Sequence, residues 1–79
     1  MDIINGLNAA YYATQNLAYN SDYYVQMMFD KEEGSLIPIY HRRGEFTHLD
    51  WDKYEWIRNY TEPATMEEIK QDTLAYFMG

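Results

Sequence analysis

Apolar side chains recur at helical spacing in the first part of the chain. Over about residues 3–19 they fall on one face of a predicted helix, and the opposite face is polar but almost uncharged. Asp2 is placed to cap the start of this helix, and Asn20-Ser21 marks its predicted end. The residues of the apolar face are Ile3, Leu7, Ala10, Thr14, Leu17 and Ala18.

In the next segment, the spacing of apolar residues changes from the helical period to a period of two residues. Residues 22–30 alternate as a half-buried strand does, and a polar turn that ends in Gly34 follows them. Residues 36–42 predict a second strand, so a hairpin is the simplest connection. Pro38 has no N–H to donate, which places this strand at a sheet edge or on a bulge. Residues 45–49 are a candidate for a short third strand.

The C-terminal third contains one ambiguous segment and one clear helix. Residues 51–60 fit either a strand or the aromatic side of a helix. We predict a helix there, because Asp50 can serve as its N-cap and Asp52 suits a helical first turn. Further along, Thr65 and Glu68 have the spacing of a capping box and predict the start of the last helix.

The order of these elements predicts an α+β fold. A small antiparallel hairpin or sheet, at about residues 22–49, would pack against the N-terminal helix and one or two C-terminal helices. Seventy-nine residues suffice for one small domain, which we assign to residues 1–79. The chain has no cysteine, so its stability must come from packing, from a partner subunit, or from both.

The net charge of −7 is concentrated in residues 45–79, which hold eight acidic and three basic residues. Such faces often serve only solubility, and Glu67 and Glu68 also suit the dipole of the last helix. Glu68 and Asp72, however, lie one helical turn apart, about 5–6 Å, where like charges oppose each other. Carboxylates at this spacing can resemble part of the phosphate array of a nucleic acid. The eight acidic residues are Glu45, Asp50, Asp52, Glu55, Glu62, Glu67, Glu68 and Asp72.

These features predict a binding protein rather than an enzyme. In composition alone, the short, acidic, tyrosine-rich chain resembles phage and mobile-element proteins that block host defence, such as anti-CRISPR or anti-restriction inhibitors that mimic nucleic acid. The expected partner is a basic nucleic-acid-binding protein, because the acidic surface would repel nucleic acid itself. The eight acidic residues would hold this partner, and three aromatic residues are candidate anchors: Tyr54, Trp56 and Tyr60.

The alternative hypothesis is a structural or adaptor protein. It would act as a homo-oligomer, such as a homodimer, or as an accessory subunit, and its exposed aromatic residues would make the contact. The dependence of binding on salt separates the two hypotheses. A contact made by charges weakens steeply as the ionic strength rises, whereas an apolar subunit interface does not.

Signals for catalysis and for membrane insertion are scarce. His48, Asp50 and Asp52 stand at alternate positions and would share one face of a strand, so a small metal enzyme is a third hypothesis. Such spacing arises by chance in so acidic a chain, and we predict no catalytic residue, metal or cofactor. His41, beside two arginines, is expected at a solvated strand end. Without a signal peptide or a span of roughly 20 apolar residues, we expect a cytoplasmic protein that does not bind membranes, located in the host cell if phage-encoded.

Overall fold

A computed structural model describes residues 3–45 and 48–79 of the chain. Within them an antiparallel sheet of three strands, in the order β2-β1-β3, lies beside two α-helices. The predicted α+β fold is therefore confirmed. The elements in chain order are helix α1 (Ile3–Gln15), a 3₁₀ turn (Asn16–Ala18), strands β1 (Tyr23–Asp30), β2 (Ser35–Arg42) and β3 (Tyr54–Tyr60), and helix α2 (Met66–Met78).

Strands β1 and β2 form the predicted hairpin. Gly34 adopts a left-handed φ of +69°, which the turn requires and glycine tolerates. The Asp30 carboxylate accepts hydrogen bonds from the backbone N–H groups of Glu32 and Glu33, at 3.0 and 3.1 Å. Strand β2 lies at a sheet edge, as the position of Pro38 predicted.

Strand β3 replaces the helix that we predicted over residues 51–60, and that prediction is wrong. Asp50 caps a turn instead of a helix, because its carboxylate accepts from the backbone N–H of Asp52 at 3.1 Å. The chain then pairs with β1 from Tyr54 to Tyr60. Pairing along a whole strand outweighs a local capping signal, since strand formation depends on the neighbours that the side chains meet.

The predicted third strand over residues 45–49 is not present at Glu45 or at residues 48–49, which have no regular structure. Phe46 and Thr47, and the predicted capping residue Asp2, lie outside the described residues.

The outer strand β3 contains a β-bulge. Met27 of β1 pairs with Arg58, but the next residue, Met28, pairs with Trp56. Ile57 is therefore an extra residue on β3 that has no partner on β1. It interrupts the hydrogen-bond ladder between the two strands locally.

The hydrophobic core lies between the two helices and one face of the sheet. Helix α1 comes very close to β2, because a Cβ atom at Gly6 would lie only 2.5 Å from Leu36 Cβ. Thr65 caps α2 as predicted, since its hydroxyl accepts from the Glu68 N–H at 3.1 Å. The buried core residues are Ala10, Ala13, Leu17, Val25, Met27, Leu36, Tyr60, Ala64 and Ile69.

The other face of the sheet buries a histidine. His41 is 5% exposed, so its predicted place at a solvated strand end is wrong. Its Nε2 lies 2.6 Å from Gln26 Oε1, and its ring lies 5.2 Å from the ring of Tyr24. Burial lowers the pKa of His41 below its ordinary value of 6.5.

Candidate acidic binding surface

Four of the predicted carboxylates follow the edge where β3 lies beside α2. On α2, Glu68 and Asp72 are four positions apart, about 6 Å along the axis. One further turn along, the Tyr76 hydroxyl donates to the Glu55 carboxylate of β3, which extends the row. At the other end, Glu62 and Glu68 line one groove. We call these four residues the acidic flank: Glu55, Glu62, Glu68 and Asp72.

Asp72 is the most firmly held member of the acidic flank. Its Oδ2 accepts a hydrogen bond from the Tyr60 hydroxyl at 2.7 Å and lies 3.5 Å from Arg58 Nε. Tyr60 is 6% exposed and belongs to the core. Its burial, and secondly the hydrogen bond to and charge of Asp72, raise the pKa of Tyr60 above its ordinary value. The position of the Asp72 carboxylate is thus fixed by the core itself.

Glu55 connects the acidic flank to the β1–β2 turn. In addition to the Tyr76 contact, its Oε1 lies 3.7 Å from Lys31 Nζ. Both partners of this ion pair are substantially exposed, so it contributes little to stability. The flank and its basic neighbours, Lys31, Arg58 and Arg43, remain negative in sum, with four carboxylates against three cations.

A second group of acidic residues lies where the hairpin turn meets the start of β3. Lys53 Nζ lies 3.7 Å from Asp30 Oδ2 and 3.9 Å from Glu32 Oε2, and the Lys31 N–H donates to the Lys53 carbonyl at 2.9 Å. These contacts bring the loop that carries the predicted residues Asp50 and Asp52 to the turn. We call the group the hairpin-end cluster: Asp30, Glu32, Glu33, Asp50 and Asp52.

Sequence reasoning missed three members of the hairpin-end cluster, namely Asp30, Glu32 and Glu33. The predicted hairpin already placed them in one turn. Their neighbours in residues 50–52 arrive only through the pairing of β3 with β1, which the predicted helix excluded.

The remaining two predicted acidic residues lie apart from these groups. Glu45 is at the opposite end of the strands, 3.9 Å from Arg42 Nη1. Glu67 is exposed on α2 and accepts a hydrogen bond from Gln71 at 3.0 Å.

The three predicted aromatic anchors have different environments. Trp56 is 51% exposed and lines a groove together with Arg58 and Asp72. Its indole N–H donates to Asn59 Oδ1 at 2.9 Å. Tyr54 is half-buried, and Lys53 Nζ lies 5.3 Å from the centre of its ring. Tyr60 is buried, so it supports Asp72 from beneath. Trp56 is therefore the most exposed of the three, on the strand that borders the acidic flank.

The proposed metal ligands do not share a strand. His48 and Asp50 lie in irregular chain and Asp52 lies in a turn. In residues 3–45 and 48–79, no three or more His, Asp or Glu side chains converge in a way that could hold a metal ion. Over the same residues, neither helix is long and apolar enough to cross a membrane.

Comparisons with known proteins assign no family to this chain. No protein-family model matches the sequence, and neither a curated protein nor a solved structure matches it significantly.

Proposed function

We propose that this protein is a non-catalytic inhibitor that occupies the basic, nucleic-acid-binding surface of another protein. Phage and mobile-element inhibitors of host defence, of the anti-CRISPR or anti-restriction type, are the kind of protein that we have in mind, acting in the cytoplasm of the host. The observation that carries the proposal is the acidic flank, in which four carboxylates follow one edge of the molecule.

The spacing of the acidic flank suits a groove that is built for phosphates. Two of its charges, those of Glu68 and Asp72, lie about 6 Å apart along the axis of α2, whereas one strand of a nucleic acid carries a charge about every 3.4 Å of axis. The acidic flank is therefore a sparser array of negative charges than the phosphates of one nucleic-acid strand. It needs only to satisfy some of the basic side chains of the partner and to exclude the nucleic acid.

Preorganisation supports the same proposal. The Asp72 carboxylate is held by Tyr60 and Arg58, and Glu55 by Tyr76 and Lys31. Carboxylates that already have fixed positions lose less conformational freedom on binding than free surface side chains do. The exposed ring of Trp56, on the strand that carries Glu55, adds apolar contact area.

The first experiment identifies the partner. The tagged protein is used to capture proteins from bacterial lysate at low and at high salt, and these are identified by mass spectrometry. We expect a basic nucleic-acid-binding protein that is recovered at low salt and lost at high salt, because charge contacts are screened. Purified nucleic acid must compete with the protein for this partner. A partner that binds both at once contradicts the proposal.

The second experiment locates the contact. The double variant Glu62→Gln/Glu68→Gln removes two charges from the acidic flank and keeps the size of both side chains. We expect it to weaken binding at least about tenfold, which corresponds to 1.4 kcal/mol. Glu32→Gln/Glu33→Gln is the matched control, since it removes two exposed charges from the hairpin turn, at the opposite end of β3 from Glu62. Equal weakening by both variants would show a response to net charge alone and would overturn the assigned surface.

A further inference from the structure

A groove lined by apolar side chains lies between the start of α1 and the end of α2. Its volume of about 480 Å³ is in the range of small-molecule binding sites. Four of its side chains are aliphatic or aromatic, and the Thr73 hydroxyl is already used, since it donates to the Ile69 carbonyl at 2.8 Å. We call this site the apolar groove; its lining residues are Ile3, Leu7, Lys70, Thr73, Leu74 and Phe77.

The wall of the apolar groove at Phe77 is already fixed in position. The Phe77 ring packs edge to face against the rings of Phe29 and Tyr76, with centroids 5.1 and 5.0 Å apart. Phe77 and Leu74 are nevertheless 49% and 50% exposed, so apolar surface beside the core remains in contact with water. A ligand that covers this surface gains from burial without first having to order the wall.

Lys70 gives the apolar groove one positive charge. Over residues 3–45 and 48–79, its ammonium is the one lysine or arginine group with neither an ion pair nor a hydrogen bond. The five side chains that do have such a partner are Lys31, Arg42, Arg43, Lys53 and Arg58. Glu67, one turn before Lys70 on α2, accepts a hydrogen bond from Gln71 instead. An unpaired ammonium at an apolar groove complements a ligand that has an anionic group.

We propose that the apolar groove binds a medium-chain fatty acid, whose carboxylate lies at Lys70 and whose chain lies against Leu74 and Phe77. These three residues follow one stripe of α2, since they are four and then three positions apart. The stripe covers about 10 Å of helix axis, at 1.5 Å per residue. Its charge is at one end and its apolar surface is along the rest, which is the arrangement of an aliphatic carboxylate.

Charge separates this ligand from other occupants of the apolar groove. A second copy of the chain would bring a further net charge of −7 against the first, and a basic ligand would meet Lys70. A fatty acid brings one charge and places it at the cation of the groove. Distant acidic residues repel it weakly, because salt screens charges beyond about 8 Å at physiological ionic strength. The proposal does not rest on the proposed function, since the acidic flank lies on the β3 side of α2.

An NMR titration of the ¹⁵N-labelled full chain with octanoate tests the proposal. We expect saturable shifts of the backbone amides at Leu7, Lys70 and Leu74, while the amides of β3 keep their positions. Octanol and octylamine have the same alkyl chain with a neutral and a positively charged head group, so they separate the contribution of charge from that of the chain. The titration needs no protein partner, so its failure would leave the proposed function standing.

Replacing Lys70 by glutamine removes the charge from the apolar groove. We expect Lys70→Gln to weaken octanoate binding about threefold or more, to leave octanol binding unchanged and to strengthen octylamine binding. Arg43→Gln is the matched control, because it removes one positive charge beyond the end of β2, whereas Leu36 at the other end of β2 contacts α1. Leu74→Gln reduces the apolar wall and should weaken octanoate and octanol alike. Circular dichroism checks that each variant folds.

Several outcomes of these titrations contradict the proposal. Shifts that never saturate, or that spread away from the apolar groove, overturn it. Equal weakening of octanoate binding by Lys70→Gln and Arg43→Gln overturns it as well, and so does equal weakening of octanoate and octanol by Lys70→Gln. Amide shifts in the groove that depend on protein concentration in the absence of octanoate would overturn it and identify a second copy as the occupant.

Discussion

The hydroxyl of Tyr60 lies 2.7 Å from Asp72 Oδ2, which joins a core side chain of β3 to a carboxylate of the acidic flank on α2. This contact crosses from the sheet to the helix, and Arg58 reinforces it from the same strand. The acidic flank is therefore attached to the hydrophobic core. A change in the core at this point should alter both stability and the position of the charge.

Replacing Tyr60 by phenylalanine removes the hydroxyl and keeps the ring. We expect the free energy of unfolding at neutral pH to fall by about 1 to 2 kcal/mol, because a hydrogen bond to a charged acceptor is lost. Denaturant titration followed by tryptophan fluorescence measures this loss. An unchanged free energy of unfolding would show that water replaces the Tyr60 hydroxyl as the donor to Asp72.

Tyr60 also makes the free energy of unfolding depend on pH in the alkaline range. The pKa of Tyr60 is raised in the folded state above its ordinary value of 10.0, so folding favours the protonated hydroxyl. Its contribution is fully present below pH 10 and is lost as the pH rises above it. Between pH 9 and pH 11, unfolding of the Tyr60→Phe variant should therefore depend less steeply on pH than unfolding of the wild type.

Replacing Gly6 by alanine tests the contact between α1 and β2. Alanine in the middle of a helix is normally more stable than glycine by about 1 kcal/mol. Here we expect the opposite sign, a loss of about 1 to 3 kcal/mol, because the new methyl group would lie 2.5 Å from Leu36 Cβ. Thermal unfolding measures the change. Asn8→Ala on the exposed side of α1 is the control and should leave the melting temperature equal or higher.

The buried His41 predicts a loss of stability in mild acid. Its pKa in the folded state lies below the ordinary 6.5, so the unfolded chain takes up a proton first as the pH falls. The stabilising effect of the neutral ring is complete above pH 6.5 and declines below it. Comparison of urea unfolding at pH 7 and pH 5 should show this decline in the wild type and a smaller one in His41→Gln. The same substitution at the exposed His48 should keep the decline at its wild-type size.

Local signals explain which elements could be predicted from the sequence. Helix α1, the hairpin and α2 each have their own period, turn or cap within a few residues, such as Gly34 or Thr65. Strand β3 has no such signal of its own, since aromatic residues suit both structures and Asp50 caps a turn as readily as a helix. This segment forms a strand because it pairs with β1, which lies more than twenty residues earlier in the chain.

The candidate site depends on the same distant pairing. Glu68 and Asp72 could be placed on one helix from their spacing alone. The approach of Glu55 to this helix, and the burial of Tyr60 beneath it, both require β3 to be a strand. The spacing of aromatic residues along the chain could not distinguish the exposed Trp56 from the buried Tyr60, because the bulge at Ile57 changes the alternation between them.

The two outer strands bear on how abundant this protein can become. Pro38 interrupts the free edge of β2, and the bulge at Ile57 interrupts that of β3, so neither edge offers a continuous template on which further chains could add. A chain with fourteen aromatic residues would otherwise be at risk of forming fibrils. An inhibitor of the kind proposed above would act one molecule per target and would have to accumulate to at least the target's own level. We expect the interrupted edges of β2 and β3 to let this protein reach that level without aggregating.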